Sequence, residues 1–158
     1  MTLALPDESA YREYFHANFT KAPLRLTLAD GHAKIYFSKS DFNHAFFEST
    51  DRNGIKDEFS RTRAERMDDI PAALLDTKAI RHAGWNKRDR AYSHGRCVCL
   101  ALDDFVVVVR LRLTTTDDLA GRFVTCFVAD NSIGKIRKAP LWDELACRTE
   151  LRKAKRGR

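Results

Sequence analysis

The amino-acid sequence predicts an α+β domain in which helices come first and a mostly antiparallel sheet follows. Two observations support this fold class. Most of residues 6–82 show the apolar spacing of helices, interrupted by one hairpin, whereas three runs of period-two alternation follow residue 96. The chain has 158 residues, the usual length of one domain with its own core. No internal repeat or linker interrupts it.

The first elements are predicted from caps and turns. A helix over residues 6–18 is favoured by a proline and two acidic residues in its first turn. Asp30-Gly31 predicts a hairpin between two short alternating strands. A short helix over residues 42–48 follows, for which Ser40 or Asp41 is the expected cap.

A helix over about residues 57–69 has an unusual placement of arginine. At 100° per residue, the apolar stripe that begins at Phe59 and includes Met67 also contains Arg63 and Arg66. A buried charge without a partner costs several kcal/mol. The two arginines therefore either pair with buried carboxylates, extend to water along their stems, or line a cavity.

The second half of the chain predicts three strands, with sequences CVCLAL, FVVVVRLRL and RFVTCFVAD. The middle strand has one wholly apolar face. Its other face changes from Val106 and Val108 to Arg110 and Arg112. We expect the apolar face to pack on helices and the basic end of the other face to form an open platform. Residues 133–138 are expected to form a basic loop or strand before a last helix.

The charge is concentrated at the end of the chain. The formal net charge is +6, and residues 148–158 contain six basic residues and one acidic residue, so the remainder carries only about +1. We therefore predict one domain over residues 1–147 and a basic tail over residues 148–158. The tail is either a solvated helix end or a nonspecific contact for a nucleic-acid backbone.

Several classes of protein are disfavoured. The chain shows no signal peptide and no membrane-spanning apolar run, so we expect a cytoplasmic protein with reduced thiols and no membrane partner. Phosphate-binding glycine loops, GxSxG and HExxH do not occur. Cys97-x-Cys99 is a weak metal motif and is better explained as two small buried residues. We expect no metal and no cofactor.

The remaining residue types suit metal-independent cleavage of RNA. The 2′-OH must lose a proton, the 5′ oxygen must gain one, and the pentavalent phosphorane must be stabilised. Histidine or glutamate can transfer the protons, and arginine matches the geometry of phosphate. A threonine hydroxyl such as that of Thr125 can bind a phosphate oxygen.

Three ordered motifs carry a family resemblance: His44-Ala-Phe-Phe-Glu48-Ser49, then Phe59-x-x-x-Arg63-Ala64-x-Arg66, then Phe123-Val-Thr125-Cys-Phe127. This set resembles the phage-associated barnase–EndoU–colicin–RelE-like nuclease domains over roughly residues 34–142. The resemblance implies helices packed on one face of a curved, four-stranded, mostly antiparallel sheet, whose other face binds RNA. Residues 67–70 depart from the family, which often has an aromatic–aliphatic pair there.

The resemblance also implies a set of site residues. The expected catalytic residues are His44, Arg63, Arg66 and Thr125. The residues expected to contact substrate are Glu48, Tyr92, Arg110, Arg112, Lys135 and Lys138. The alternative for His44, which lies between phenylalanines, is a hydrogen-bonded core histidine.

The function predicted from these residues is a metal-independent endoribonuclease that cleaves RNA by 2′-OH transesterification. It would be a toxin or phage-related effector, with DNA as a second possible substrate and a protein inhibitor as a possible partner. The alternative is a catalytically silent module of the same fold that binds nucleic acid or protein. A third hypothesis is a structural phage or host-interaction protein in which the arginines form buried salt bridges.

Overall fold

The computed structural model describes residues 2–49, 57–101, 104–130 and 132–156. Within these ranges the chain forms six helices and eight strands. The helices are α1 (Glu8–Asn18), α2 (Asp41–Phe46), α3 (Arg61–Ala64), α4 (Asp69–Leu75), α5 (Ile133–Lys138) and α6 (Glu144–Arg156). The strands are β1 (Leu24–Thr27), β2 (His32–Tyr36), β3 (Phe47–Glu48), β4 (Glu58–Phe59), β5 (Arg81–Asn86), β6 (Ala91–Ala101), β7 (Phe105–Leu113) and β8 (Leu119–Val128).

The main sheet has six strands in the order β1-β2-β8-β7-β6-β5. Its pairs are antiparallel except for β2 and β8, which are parallel. The predicted α+β class is confirmed, but the sheet has six strands where four were expected. Besides the three strands predicted in the second half of the chain, the sheet contains both strands of the N-terminal hairpin, because β2 pairs with β8, and it contains β5, which follows α4.

The predicted N-terminal helix, hairpin and short helix all form, although α1 begins two residues later than predicted and residues 47–48 belong to β3. Asp7 caps α1, its side chain accepting a hydrogen bond from the backbone N–H of Ala10 at 2.9 Å. Gly31 has φ of 95° in the β1–β2 turn, where a residue without Cβ is favoured. Helix α2 begins after Ser40.

The core lies between helices and one face of the sheet, which we call the inner face. Aromatic side chains of α1 and α2 supply much of it, and the Phe15 ring contacts those of Phe37, Phe42 and Phe46 within 6.1 Å. Alternate residues of β7, such as Val107 and Leu111, complete this core from the sheet.

The predicted helix over residues 57–69 is not continuous. Phe59 belongs to β4, which pairs with β3, and α3 contains only four residues. After Ala64 the backbone continues through i→i+3 hydrogen bonds until α4 begins at Asp69. A strand pair made with residues 47–48 therefore replaces the first turn that the apolar spacing predicted.

The opposite, outer face of the sheet has two different halves. One half is apolar, with Val98, Val106 and Val108 covered partly by Ile133 and Ile136. These isoleucines belong to α5, so the segment predicted as a basic loop or strand is a helix. The other half, on which none of the described helices packs, is described below as the candidate site.

Helix α6 packs on β6 and β7. The predicted boundary between residues 147 and 148 falls inside this helix, and its basic residues hold the β7–β8 turn. Arg152 forms a 2.7 Å ion pair with Asp117, which lowers the pKa of that carboxyl, and Arg148 donates to the Asp117 carbonyl. Two arginines of the predicted tail therefore contact this turn, whereas residues 153–155 are exposed.

In the described ranges, none of the helices combines the length and apolar character that crossing a membrane requires.

Candidate nucleic-acid interface

Arg66 is held by carboxylates on the helical side of the sheet. Its Nε lies 2.5 Å from Asp69, its Nη2 lies 3.1 Å from Asp104, and the guanidinium packs over the Phe105 ring. Burial disfavours the charged form, but the hydrogen bonds to Asp104 and Asp69 outweigh it and raise the pKa of Arg66. Of the three alternatives for Arg66, the structure shows pairing with carboxylates.

Arg63 also has partners on this side. Its Nε lies 3.2 Å from Glu48, and its Nη1 donates to the Ala45 carbonyl at 3.2 Å. Burial raises the pKa of the Cys126 thiol to about 12, against an opposing effect of the Arg63 charge. Helix α3, which carries Arg63, contacts β8. The carboxylate that pairs with Arg63 is that of Glu48, which was expected to contact substrate.

The four residues expected to be catalytic lie on two sides of the sheet. His44 is exposed on α2, so it is not a core histidine, and it belongs to the same side as Arg63 and Arg66. Thr125 is paired with Val108, and both belong to the outer face. The sheet thus separates Thr125 from the other three.

The outer face carries a row of three arginines on adjacent strands. Arg96 of β6 is opposite Arg110 of β7, and Arg110 is opposite Arg122 of β8. We call these three residues the arginine row. Directly opposite side chains in a sheet are about 5 Å apart at Cβ, so three positive charges lie side by side with only strand spacing between them.

A second row of cations runs beside the first. Arg112 of β7 is opposite Ala120, which is opposite Lys34 of β2, and Lys34 is opposite Arg25 of β1. All three cations are exposed and alternate with buried inner-face residues. The arginine row together with Arg25, Lys34 and Arg112 is called the basic face.

No described residue neutralises these charges. The six described strands of the main sheet contain no Asp or Glu. Among residues that the structure describes, no hydrogen bond or ion pair reaches the six cationic side chains. Burial and the nearby Arg110 charge lower the pKa of Arg96. Repulsion between unpaired positive charges raises the free energy of the protein, and an anionic ligand would relieve it. The surface is therefore suited to such a ligand.

Aromatic side chains flank the arginine row at both ends. Tyr36, opposite Arg122, is 42% exposed. At the other end, Arg96 packs against Gly84, and Trp85 contacts Tyr92 edge to face with centroids 5.2 Å apart. Trp85 and Tyr92 are 48% and 39% exposed, which leaves their rings available for stacking.

A small depression of about 110 Å³ lies beside these aromatic residues on the outer face. Its lining includes Trp85, Tyr92, Val98 and Lys135.

The residues expected to contact substrate lie in different places. Arg110 and Arg112 belong to the basic face, Tyr92 and Lys135 border it, and Lys138 is exposed on α5. Glu48 lies on the other side.

Sequence reasoning missed four members of the basic face: Arg25, Lys34, Arg96 and Arg122. A period-two signal is present for Arg122, which alternates with Phe123 and Gly121 in the last strand. The rows themselves depend on register between strands, including a shift between Val108 and Val109, and register is not visible in one sequence.

Metal ligands do not cluster in the part of the chain that the structure describes, where no group of three or more His, Cys, Asp or Glu could hold an ion. The cysteines at 97, 99, 126 and 147 are free and buried. Cys97 Sγ lies 3.9 Å from Cys99 Sγ in the core, which agrees with their interpretation as small buried residues.

Comparisons of this chain with protein-family models, with curated proteins and with solved structures found no match.

Proposed function

We propose that this chain is an RNA-binding domain that holds a single strand across the basic face. The observation that supports the proposal is the arginine row, three uncompensated guanidinium groups on adjacent strands with a second row of cations beside them. Guanidinium matches phosphate oxygens in geometry and stays charged at all physiological pH values.

The spacing of the two rows suits a chain of phosphates. Strands lie about 4.8 Å apart, and residues two apart along a strand are separated by about 6.7 Å. Several consecutive phosphates could therefore each approach a different cation. Because the described strands of the sheet contain no carboxylate, phosphates on this face meet no opposing negative charge from it.

A single strand is favoured over a duplex because of the exposed aromatic rings. Unpaired bases stack on aromatic side chains, whereas the bases of a duplex are already stacked on one another. Tyr36 at one end of the arginine row and Trp85 with Tyr92 at the other can supply such stacking.

The proposal is tested by fluorescence anisotropy with a labelled 12-nucleotide single-stranded RNA. Replacing Arg110 and Arg122 by Gln removes two neighbouring charges and should weaken binding by about tenfold or more, since contacts of charged groups with phosphate contribute about 1.5–3 kcal/mol when well formed. Both side chains are exposed, so the fold should be preserved, as circular dichroism can verify.

The matched control replaces Lys21 and Lys78 by Gln. Both are exposed and lie outside the sheet, so this variant has the same net charge as the arginine variant. Equal loss of affinity in the two variants would reject the basic face as the binding surface. DNA of the same sequence, used in parallel, shows whether the 2′-OH contributes.

Metal-independent endoribonuclease activity is the second candidate, and the resemblance to barnase–EndoU–colicin–RelE-like domains belongs to this proposal. The observation that favours it is that α2 carries the exposed His44, while β3 and α3 on the same side of the sheet carry the Glu48–Arg63 ion pair. Histidine can transfer the two protons of transesterification, and the guanidinium can stabilise the phosphorane.

Cleavage is tested by incubating total cellular RNA with the protein in excess EDTA. Discrete fragments that disappear with His44→Ala, in a variant that still folds and still binds RNA, would establish the activity. Intact RNA under conditions where the 12-nucleotide RNA is bound would leave the protein as a binding module.

A further inference from the structure

A cleft of about 760 Å³ opens beside the arginine row, between the tip of the β5–β6 hairpin and helix α6. Its lining includes Arg96 and Arg110 of the row, Lys87 and Arg88 of the hairpin tip, and Glu150 of α6. This volume is within the range of sites that hold small molecules of nucleotide size. Because Arg96 and Arg110 line it, the cleft is continuous with the basic face. It is not part of the flat sheet surface.

The cleft exists because β6 bulges away from β5. Ala83 is opposite Cys97 but the next residue, Gly84, is opposite Ser93, so residues 94–96 have no partner in β5. A Cβ at Gly84 would lie 2.5 Å from Cγ of Arg96, so glycine allows the arginine stem to lie across the strand.

The lining contains two carboxylates, Asp89 and Glu150, and both accept hydrogen bonds. The Asn86 side-chain amide donates to Asp89 at 3.1 Å. Glu150 accepts hydrogen bonds from the Ser93 hydroxyl at 2.9 Å and from the backbone N–H of His94 at 3.1 Å. It therefore holds the bulge in place. The side chains of Lys87, Arg88, Arg96 and Arg110 have no hydrogen bond or ion pair to another residue in the described ranges, and they are the free charges of the cleft.

We propose that this cleft binds the phosphomonoester group of a nucleotide, so that the protein recognises a phosphorylated end of the RNA strand on the basic face. A phosphomonoester carries a charge of about −1.5 to −2 at neutral pH, whereas each internal phosphodiester carries one negative charge. A cleft that gathers four free cations favours the more highly charged group. This inference rests on the proposed RNA binding, because the strand enters the cleft from the arginine row.

The test compares the same 12-nucleotide RNA with a 5′-phosphate, a 3′-phosphate or hydroxyls at both ends. We expect one phosphorylated form to bind about tenfold more tightly than the hydroxyl form, the effect of an added charge-assisted contact. Uridine monophosphate as a competitor distinguishes a free nucleotide from a strand end as the source of the phosphomonoester.

Two variants separate the cleft from the face. Replacing Lys87 and Arg88 by Gln should remove the preference for the phosphorylated end while leaving affinity for the hydroxyl RNA within about twofold. Arg112→Gln removes a charge from the basic face outside the cleft, so it should weaken both RNAs equally and keep their ratio.

The outcomes distinguish the two proposals. Salt-sensitive binding of hydroxyl RNA with no preference for either phosphate would overturn the cleft proposal and leave the proposed function standing. Binding of uridine monophosphate that depends on Lys87 and Arg88, without any RNA binding, would keep the phosphomonoester site and overturn the proposed function. No binding of any of these ligands would reject both.

Discussion

At the scale of single residues, the protein contains arginines in two different electrostatic situations. Arg66 and Arg63 have carboxylate partners and are each 19% exposed on the helical side. Arg110 and Arg122 are exposed and lie opposite each other, and the described strands of their sheet contain no carboxylate. Removing an arginine should therefore have opposite effects on stability in the two places.

Arg66→Ala should lower the free energy of unfolding by about 2–4 kcal/mol, because it breaks a mostly buried ion pair and removes the guanidinium from the Phe105 ring. The carboxylate of that pair belongs to Asp69, whose side chain is 7% exposed. Urea denaturation followed by circular dichroism measures the change. Arg25→Ala, which removes an exposed and unpaired arginine, is the control and should change stability by less than about 0.5 kcal/mol.

Arg110→Gln should raise the free energy of unfolding by about 0.5 kcal/mol at low salt, because like charges directly opposite in a sheet are destabilising. Arg110 lies between Arg96 and Arg122 and so repels both. The gain should disappear at about 1 M salt, where the Debye length is about 3 Å. A stability decrease at low salt would show that the row is neutralised by a group we have not identified.

At the scale of secondary-structure elements, β7 shows what the sequence could predict. Its period-two alternation predicted that one face lies in the core and that the other face changes from valine to arginine along the strand. The structure has this arrangement. Alternation along one strand is a local property with a period of two, so a single sequence reveals it. The basic end of this face is open, as expected from Arg110 and Arg112.

The elements that were mispredicted depend on distant partners. Residues 57–69 have helical spacing, but Phe59 pairs with Phe47, and Arg66 contacts Asp104, which is 38 residues away along the chain. Likewise, α5 is a helix on the outer face, where Ile133 and Ile136 cover apolar residues of the sheet. Tertiary contacts determine these local structures, and such contacts cannot be predicted from the local pattern of one sequence.

The contact between α1 and the start of α4 should depend on pH. The Tyr14 hydroxyl donates to Asp68 at 2.6 Å, and this hydrogen bond, with burial, raises the pKa of Tyr14 to about 12 from 10.0. The hydrogen bond therefore stabilises the fold below pH 10, and this stabilisation is lost as the pH rises through about 12. Tyr14→Phe should therefore lose less stability than the wild type between pH 10 and 12 in urea titrations.

Helix α6 should be required for folding. Truncation after residue 147 removes Leu151 from the core and Glu150 from the β6 bulge, together with the Arg152–Asp117 ion pair. We expect a drop in melting temperature of at least about 10 °C, since losing even about 2 kcal/mol shifts a domain of this size by several degrees. Truncation after residue 156 is the control. Equal melting temperatures for both truncated proteins would show that residues 148–156 are a dispensable tail.

At the scale of the whole molecule, the sheet separates two functions. Its inner face packs on helices and carries the aromatic core, so it provides stability. Its outer face is apolar under α5 and cationic beyond it. The net charge of +6 is therefore less informative than its distribution, because the basic residues of α6 are partly used in holding the β7–β8 turn.

The most direct test of this account is the dependence of RNA affinity on salt. If six cations of the basic face each neutralise one phosphate of a single strand, the logarithm of the association constant should fall with the logarithm of salt concentration with a slope of about −4. Replacing Arg110 and Arg122 by Gln should make the slope shallower by about 1.4. A wild-type slope near zero, or an unchanged slope in this variant, would contradict RNA binding by the basic face.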